Sequence, residues 1–351
     1  MLEFEDALAQ VLAAVPKPAV ETVSLAGATG RILMDPALAS IDLPRFDNSA
    51  MDGYAVRAAD VASARGDAPV RLRLAGRVEA GQRFAGELSP GMCLRLFTGS
   101  PLPRGADAVV MQEDTRSDPA DGNCLLVLEP AQQGENIRFR GEDISRGAVL
   151  APAGERLGFA QLSLLSAAGV AQLCVGRQPR VAILATGSEL AEPGTNLAEG
   201  HIYESNRVAL ETLVRSCGGV PTVLPLVRDD LEETKAALAD ALKQADAIVT
   251  SGGASVGEMD FVKQAFQDSG GKLEFWKVAI KPGRPFVFGA RGEKLLFGLP
   301  GNPVSALVTV LLLVRPALLH WQGATNLSLP AHSGLLAGAI ANPGARRHFV
   351  R

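Results

Sequence analysis

Histidines, tyrosines, tryptophans and paired cysteines are scarce in this 351-residue sequence. Only four histidines occur, which disfavours a histidine triad or a metal site built on imidazoles. The four cysteines are widely spaced and form no CxxC pair. A zinc site is therefore disfavoured, and we expect reduced, mostly buried thiols in a cytosolic protein.

A strong charge and a long apolar run are also missing. The net charge of −4 and the pI near 5.7 disfavour binding to nucleic acid or to an acidic membrane. The N-terminal residues MLEFEDALAQ lack the basic start of a signal peptide. The longest apolar run, residues 306–314, is too short to span a bilayer and predicts a core helix. We therefore expect a cytoplasmic protein without nucleic-acid or membrane partners.

The pattern of apolar residues changes along the chain. An apolar content of 47% permits large cores, and the length predicts two or three domains. Helical spacing at residues 2–15 and 155–170 flanks a stretch of short β-type runs. From residue 179 strands alternate with helices, which predicts a doubly wound, mainly parallel sheet. Residues from about 328 begin another element, and we expect that a further β-type domain is missing from this chain.

The most informative segment is the stretch AIVTSGGASVGEMD, residues 247–260. An apolar strand runs into a glycine-rich turn, and a helix start with Glu258 and Asp260 follows. Glycines let backbone N–H groups surround an anion, and a helix N-terminus adds positive potential there. Carboxylates beside an anion repel it unless a cation lies between them. The segment therefore predicts a phosphate-like ligand held with a divalent metal.

Other polar loops should reach the same edge of the sheet, because ligands bind outside the carboxyl ends of parallel strands. These loops are residues 186–189 (TGSE), 228–230 (RDD) and 300–303 (PGNP). Each has an ordinary alternative as a turn or a helix cap, and one of Asp229 and Asp230 is expected to cap the next helix. Which of the two faces the ligand stays open. The convergence of several such loops favours a binding site.

A basic segment, WKVAIKPGRP, supplies Lys277, Lys281 and Arg284. Residues 273–280 are a strand candidate, and Lys277 and Lys281 are four residues apart, so on one strand they would share a face. Three cations near a turn predict a phosphate clamp. The alternative is a solvated strand edge on which lysines block edge pairing. The glycine-rich loops nearby favour the clamp.

Residues 43–57 (LPRFDNSAMDGYAVR) form the other unusual segment. Its mixture of Pro, Asp, Asn and Gly with apolar side chains favours an ordered functional loop over a flexible linker. A compact turn between two strands is the alternative. Thr98-Gly99 and Gly141-Glu142-Asp143 are weaker candidates of the same kind.

Together these segments resemble the molybdopterin molybdenumtransferase (MoeA) family, which is related to the C-terminal domain of gephyrin. The residues that carry the resemblance are 47–55 (DNSAMDGYA), 98–99 (TG), 141–144 (GEDI), 186–190 (TGSEL), 205–207 (SNR), 251–257 (SGGASVG), 281–285 (KPGRP) and 300–305 (PGNPVS). The MDGYA segment is more particular to this family than the glycine-rich loop and PGNP, which occur in a wider superfamily.

The resemblance implies a multidomain α/β and β fold. It comprises a discontinuous helical dimerisation domain (1–24 and 145–177), an inserted β domain (25–144), a doubly wound, mainly parallel α/β molybdopterin-binding domain (178–327) and the start of a truncated C-terminal β domain (328–351). The segment NPGARRHFVR resembles the opening of that last domain, with Arg346 at the position of a site arginine.

The implied reaction inserts molybdate into adenylylated molybdopterin, with Mg²⁺, and releases AMP. The resemblance implies a catalytic set of Asp52, Thr98, Glu189, Asp229 and Asp260. Glu189, Asp229 and Asp260 are also the implied Mg²⁺ ligands. The implied cofactor-binding residues are Asp143, Thr186, Ser251, Gly252, Gly253, Ser255, Lys277, Lys281, Arg284, Pro300, Asn302 and Arg346.

In the family's dimer, Asp52 and Thr98 approach the α/β edge of the partner subunit, so a homodimer with a shared site is expected. A molybdopterin adenylyltransferase and downstream cofactor-maturation proteins are further expected partners. Asp52 is the candidate for orienting water.

Three competing functions fit these residues less well. A non-catalytic molybdopterin-binding scaffold would have no use for the acids at 52, 189 and 260. A different phosphohydrolase with the same α/β domain would lack the MDGYA segment. A nicotinamide dehydrogenase is disfavoured because no GxGxxG follows a first strand.

Overall fold

The computed structural model describes residues 1–79, 81–252, 261–342 and 344–350 and contains two compact units. The first, called here the α/β unit, comprises residues 1–36, 151–163 and 170–351. The second, called the β unit, comprises residues 37–150 and 164–169. The four domain boundaries proposed from the sequence stay predictions.

The described helices follow in chain order. They are α1 (Phe4–Ala14), α2 (Ala58–Val61), α3 (Phe159–Ala167), α4 (Asn206–Ser216), α5 (Leu231–Gln244), α6 (Phe261–Asp268), α7 (Pro303–Thr309) and α8 (Arg315–Trp321). Short 3₁₀ turns lie at Leu25–Ala28 and Gln112–Asp114, and a π turn lies at Val310–Val314.

The described strands are given in the same way. They are β1 (Val20–Ser24), β2 (Ala37–Leu38), β3 (Asn48–Ser49), β4 (Gly53–Val56), β5 (Val70–Arg77), β6 (Met92–Leu96), β7 (Ala108–Met111), β8 (Thr115–Ser117), β9 (Cys124–Val127), β10 (Ile137–Arg138), β11 (Val149–Ala151), β12 (Gln172–Gly176), β13 (Arg180–Ala185), β14 (Leu190–Ala191), β15 (Ile202–Tyr203), β16 (Val220–Val223), β17 (Ala247–Ser251), β18 (Lys272–Lys277), β19 (Ile280–Lys281), β20 (Pro285–Arg291), β21 (Lys294–Leu299) and β22 (Arg347–His348).

The α/β unit is built on a six-stranded sheet with the order β16-β13-β17-β21-β20-β18. Strands β16, β13, β17 and β21 are parallel, and only β20 runs against them. Strands β13 and β17 are apolar and almost wholly buried, as expected for parallel strands covered on both faces. The predicted doubly wound, mainly parallel fold class is confirmed.

Alternate residues of β13 serve two separate cores. Val181 and Ile183 pack in a core that also contains residues of α1, α4 and α8, whereas Ala182 and Leu184 pack in a core with α5 and α6. A period of two along a strand sends successive side chains to opposite faces. The sheet is therefore covered by one helical layer on each side, which leaves its carboxyl edge open for loops.

The last helical segment of the α/β unit lies in the core that also contains α1 and α4. Residues Pro303–Trp321 are long and apolar enough to cross a membrane, with a mean hydropathy of 1.8, but the segment is 56% buried inside the protein. It is interrupted by the π turn at Val310–Val314, just before Pro316. Proline has no N–H and its ring clashes with the carbonyl four residues earlier, which accounts for the altered turn. The segment is packed as a core helix.

Strand β1 pairs with β12 over five residues, from Val20 with Gly176 to Ser24 with Gln172. This ladder joins the N-terminal piece to the chain beyond residue 170. Helix α1 packs against α8 and the π turn. Leu2 also forms an isolated β-bridge with Val278, so the N-terminus packs against the same α/β unit.

The β unit contains a six-stranded mixed sheet with the order β7-β4-β6-β5-β9-β8. Strand β4 lies between β6 and β7 and is antiparallel to both. Gly53 at its start is required by packing, because a Cβ there would lie 2.2 Å from the carbonyl oxygen of Val110. The segment 43–57 is thus an ordered connection that enters the middle of a sheet.

The prediction of one strand over residues 273–280 is wrong beyond Lys277. Strand β18 contains register shifts against β20 between Leu273 and Lys277 and ends at Lys277, after which the chain leaves the sheet. Ile280 and Lys281 form β19, which pairs with Arg347 and His348 of β22. Lys277 and Lys281 therefore do not share a strand face, and the argument from their four-residue spacing does not hold.

Candidate functional site

Three neighbouring parallel strands of the α/β unit end at the same level. Ala185 of β13 pairs with Ser251 of β17, which pairs with Leu299 of β21. The loops that start at Thr186, Gly252 and Pro300 therefore leave the sheet side by side. This is the edge at which ligands bind in open parallel sheets.

These loops enclose a cavity of about 310 Å³, called here the edge cavity. Its lining residues are Thr186, Glu189, Leu190, Ile202, Tyr203, Glu204, Ser205, Asn206, Ser251, Gly252, Gly301, Asn302 and Pro303. Five of them, Thr186, Glu189, Ser251, Gly252 and Asn302, are site residues named from the sequence. Candidate residues from the three loops after β13, β17 and β21 therefore line the same cavity.

Gly252 makes the close contact between two of these loops. Its φ is +85°, and a Cβ there would lie 2.3 Å from the carbonyl oxygen of Thr186. Main-chain atoms also join the loops, since Thr186 N donates to Ser251 O at 3.0 Å. Only glycine fits both the left-handed conformation and the contact.

Thr186 presents a buried hydroxyl to the edge cavity. The residue is 6% exposed, and its Oγ1 has no hydrogen-bond partner among the described residues. A buried polar atom left unpaired costs about 1–3 kcal/mol. A ligand oxygen in the cavity would remove that cost.

Asn206 was not named as a site residue from the sequence. Its Nδ2 donates to Ser251 Oγ at 2.6 Å and to Gly301 O at 2.8 Å, so one amide ties together the loops after β17 and β21. Glu204 Oε1 accepts from the main-chain N–H groups of Asn206 and Arg207, which fixes the start of α4. The motif SNR in the sequence was the available signal, but it did not reveal these partners.

The structure separates the roles of the two adjacent aspartates. Asp230 caps α5, since its Oδ1 accepts from Glu233 N at 2.9 Å. Asp229 faces the loop after β13: its Oδ2 accepts from Ser188 N at 3.1 Å, and its N–H donates to Ser188 Oγ at 3.0 Å. Asp229 is therefore the member of the pair beside Glu189.

Asn302 and Pro300 shape the loop after β21. Asn302 caps α7, with its Oδ1 accepting from Ser305 N at 3.1 Å, and Pro303 occupies the first turn. Pro300 is buried where β21 ends. The cap holds the loop against the edge cavity, so Asn302 has a structural role whether or not it contacts a ligand.

Lys277 and Arg284 lie at the same edge of the sheet, and Lys281 lies between them along the chain, in β19. Strand β18 is parallel to β17 and β21 through β20, so Lys277 ends β18 at the carboxyl edge, and Arg284 immediately precedes β20 there. Neither an ion pair nor a side-chain hydrogen bond joins the three cations to other described residues. Their charges are therefore available for an anionic ligand.

The β unit holds a second polar group at the ends of β4, β6 and β7. Asp52 Oδ1 accepts from Thr98 N and from Thr98 Oγ1, both at 2.8 Å. The bond from the Thr98 backbone has the larger effect and the bond from its hydroxyl the smaller. Together they lower the pKa of Asp52 below its ordinary value, so the carboxylate stays ionised.

Arg95 lies on the same face of this sheet and was missed by sequence reasoning. Its guanidinium lies 4.8 Å from the ring centroid of Tyr54 and 5.3 Å from that of Phe97, and it donates to Gln112 Oε1 near Asp52. The stacking fixes a positive charge beside the carboxylate. Alternation along β6 places Arg95 and Phe97 on one face, which was the available signal.

Two further candidates have local partners. Asp143 forms an ion pair with Arg138 inside the β unit. Arg346 is half-buried and directly precedes β22. The candidates Gly253, Ser255 and Asp260 lie outside the described residues.

The donor chemistry at the edge cavity fits Mg²⁺. Glu189 is exposed, lines the cavity and has no side-chain partner among the described residues. Asp229 uses one carboxylate oxygen for Ser188 and keeps the other. Mg²⁺ takes one or two carboxylates together with waters and phosphate oxygens. Among the described residues no cluster of three acids, histidines or cysteines forms a closed metal cage.

Family models match most of the sequence. The model described as the MoeA N-terminal region (domain I and II) matches residues 2–169, and the model of a probable molybdopterin binding domain matches residues 182–320. The molybdopterin molybdenumtransferase of Haemophilus influenzae is 39% identical over 338 residues, covering 96% of this chain and 82% of its own length. Molybdopterin molybdenumtransferase 2 of Mycobacterium tuberculosis is 40% identical over 337 residues, covering 94% and 82%.

Solved structures agree with these matches. The crystal structure of the molybdopterin biosynthesis MoeA protein from Pyrococcus horikoshii superposes with a TM-score of 0.76 at 33% identity, covering 94% of this chain and 81% of that one. A molybdenum cofactor biosynthesis protein from Pyrococcus furiosus, at 20% identity and a TM-score of 0.51, shares the fold.

Proposed function

Because the chain belongs to the molybdopterin molybdenumtransferase (MoeA) family, we propose that it inserts molybdate into adenylylated molybdopterin and releases AMP. This step belongs to the biosynthesis of the molybdenum cofactor. The observation that carries the proposal is the edge cavity, which is lined by the exposed Glu189 and by Thr186, whose buried hydroxyl has no hydrogen-bond partner in the described part of the chain.

The residues of the α/β unit bind and orient the two anionic substrates. The hydroxyls of Thr186 and Ser251 donate to ligand oxygens in the cavity, and the glycine at 252 lets the main chain approach closely. Lys277, Lys281 and Arg284 contribute positive charge. Their lack of ion pairs with described residues supports this role.

Glu189, Asp229 and Asp260 are the proposed Mg²⁺ ligands. When bound, the ion supplies Lewis acidity toward the phosphoanhydride oxygens. Two hydrogen bonds with Ser188 orient Asp229, and Glu189 is the residue after Ser188. Two of the three acids therefore lie on neighbouring loops that are joined by these bonds. Molybdate is a substrate here, not a resident cofactor.

Asp52 and Thr98 are proposed to act from the β unit. Two hydrogen bonds from Thr98 keep Asp52 ionised and fix its orientation, which suits a group that orients water. We place this pair beside the edge cavity of a second subunit in a homodimer. Phe159 of α3 is 91% exposed, and we propose that the second chain covers it.

The proposed setting is the cytoplasm. All four cysteines, which lie among the described residues, carry free thiols, and three of them are buried. An adenylyltransferase must supply the adenylylated substrate, and proteins that use or mature the cofactor must accept the product. We propose both classes as partners.

AMP release tests the function directly. The full chain is incubated with adenylylated molybdopterin, Mg²⁺ and molybdate, and AMP is followed over time. We expect release that requires both molybdate and Mg²⁺, and that stops with chelator and in Glu189→Gln. Binding of molybdopterin without AMP release would instead establish a non-catalytic scaffold, and molybdate-independent release would overturn the proposed reaction.

Mixed dimers test the shared site. Asp52→Asn and Glu189→Gln are each expected to inactivate a homodimer. After random mixing, half of the dimers are heterodimers, and each then keeps one intact site of two, so about a quarter of wild-type turnover should return. No recovery on mixing would contradict a site shared between subunits.

A further inference from the structure

Asn206 is the most buried amide at the edge cavity. It is 8% exposed, and its Nδ2 contacts two oxygens, Ser251 Oγ at 2.6 Å and Gly301 O at 2.8 Å. Both partners are fixed by the sheet, because Ser251 ends β17 and Gly301 follows β21. The amide thus has a defined orientation rather than a choice between two flipped states.

The partners of the amide determine whether the Ser251 hydroxyl accepts or donates a hydrogen bond on the Asn206 side. The carbonyl of Gly301 can only accept a hydrogen bond, so the Asn206 atom that faces it is the NH₂ nitrogen. The second N–H of the same nitrogen points to Ser251 Oγ, which must accept it. Ser251 Oγ is then left with its own hydrogen to donate, and the residue lines the cavity.

The start of α4 does not offer an alternative anion site. The N–H groups of Asn206 and Arg207 are both occupied by Glu204 Oε1, at 2.6 and 2.9 Å. Glu204 is itself held by Arg207 Nε at 2.9 Å. Among the described residues, the hydroxyls of Ser251 and Thr186 remain able to donate to a ligand on this side of the cavity.

We propose that Asn206 is a positioning residue that fixes Ser251 Oγ as a hydrogen-bond donor to the phosphate of molybdopterin. This inference rests on the proposed function, since it assumes that molybdopterin occupies the edge cavity. It explains why an uncharged residue buried at the start of a helix spans two loops. It also assigns the recognition of negative charge in the cavity to oriented hydroxyls.

A double-mutant cycle tests the connection. Dissociation constants for molybdopterin are measured for the full-length wild type, Asn206→Ala, Ser251→Ala and the double variant. Loss of a hydrogen bond to a charged group corresponds to about a 10- to 100-fold weaker affinity for each single variant. Because Asn206 acts through Ser251, the double variant should bind no more weakly than Ser251→Ala. In turnover, Asn206→Ala should raise KM for the adenylylated substrate with little change in kcat.

Gln322→Ala is the matched control. Gln322 is a fully buried amide of the same unit whose Nε2 also donates to two oxygens, Leu318 O at 2.7 Å and Cys217 O at 2.9 Å, away from the edge cavity. It should lower thermal stability as Asn206→Ala does and leave molybdopterin affinity unchanged. If Asn206→Ala does not fold, Asn206→Asp keeps the shape and draws the Ser251 hydrogen toward itself. It should weaken binding at least as much.

The outcomes separate the two proposals. Wild-type binding together with an unaffected Asn206→Ala, or with losses that multiply in the double variant, overturns the role of Asn206 alone. Absence of molybdopterin binding by the wild type overturns the proposed function and this inference together.

Discussion

Gly252→Ala tests the close contact on which the edge cavity depends. Gly252 combines a φ of +85° with a site where a Cβ would lie 2.3 Å from Thr186 O. Gly292, in the turn between β20 and β21, has a φ of +60°, and a Cβ there would meet no atom within 4 Å. Gly292→Ala therefore introduces the conformational strain without the clash and is the matched control.

The two substitutions should differ in magnitude. A left-handed conformation costs an L-residue about 1–2 kcal/mol, and replacing glycine recovers about 0.4–1 kcal/mol through the unfolded state. Gly292→Ala should thus destabilise by about 1 kcal/mol or less. At Gly252 the clash with a main-chain oxygen adds an overpacking cost of about 1–3 kcal/mol. We expect a loss of about 2–4 kcal/mol for Gly252→Ala.

Urea unfolding followed by tryptophan fluorescence measures these losses. Both tryptophans, Trp276 and Trp321, lie in the α/β unit and report on its unfolding. Molybdopterin affinity is measured on the same samples and should fall in Gly252→Ala only, because the Thr186 and Ser251 loops must separate. Equal stabilities of the two variants, or full affinity in Gly252→Ala, would refute the reasoning.

Three other changes give separate tests. Asp229→Asn should slow AMP release by about tenfold or more, through loss of a charged contact, whereas Asp230→Ala should cost about 1 kcal/mol of stability through loss of a helix cap and leave AMP release unchanged. Burial raises the pKa of Asp246, but hydrogen bonds from two arginines outweigh it and lower the pKa from 3.8 to about 2. Its stabilisation should therefore be complete above pH 3.8 and lost as the pH falls toward 2, and acid unfolding of Asp246→Asn should lack that loss. Thr98→Val removes one of two bonds to Asp52, so the pKa of Asp52 should rise in an NMR titration; an unchanged value would contradict the assignment.

Local patterns predicted the central elements well. The alternation of strands and helices expected from residue 179 onward is present in β13, α4, β16, α5, β17 and α6. Parallel strands buried on both faces leave a strong signal, because their residues are apolar almost without interruption. A helix cap from one of Asp229 and Asp230, and a cap as one of two readings of the PGNP loop, were also expected from local chemistry; Asp230 and Asn302 are the caps.

Contacts between distant residues were beyond the sequence. Asn206 bonds to partners 45 and 95 residues away, so the SNR motif could not reveal which atoms its amide contacts. The irregular pairing of β18 involves β20, and the pairing of β19 involves a strand near residue 347. Such features are set by packing between segments and not by the local spacing of residue types.

The short ladder between β19 and β22 joins the residues around 347 to the main chain of Lys281. Phe349 N donates to Lys281 O at 2.8 Å, Arg347 N donates to Ala279 O at 3.0 Å, and the ring of Phe349 packs on Phe4. These two amides hold the main chain on both sides of Ile280. The main chain of Lys281, a proposed anion contact, is therefore held in place by a segment more than sixty positions downstream.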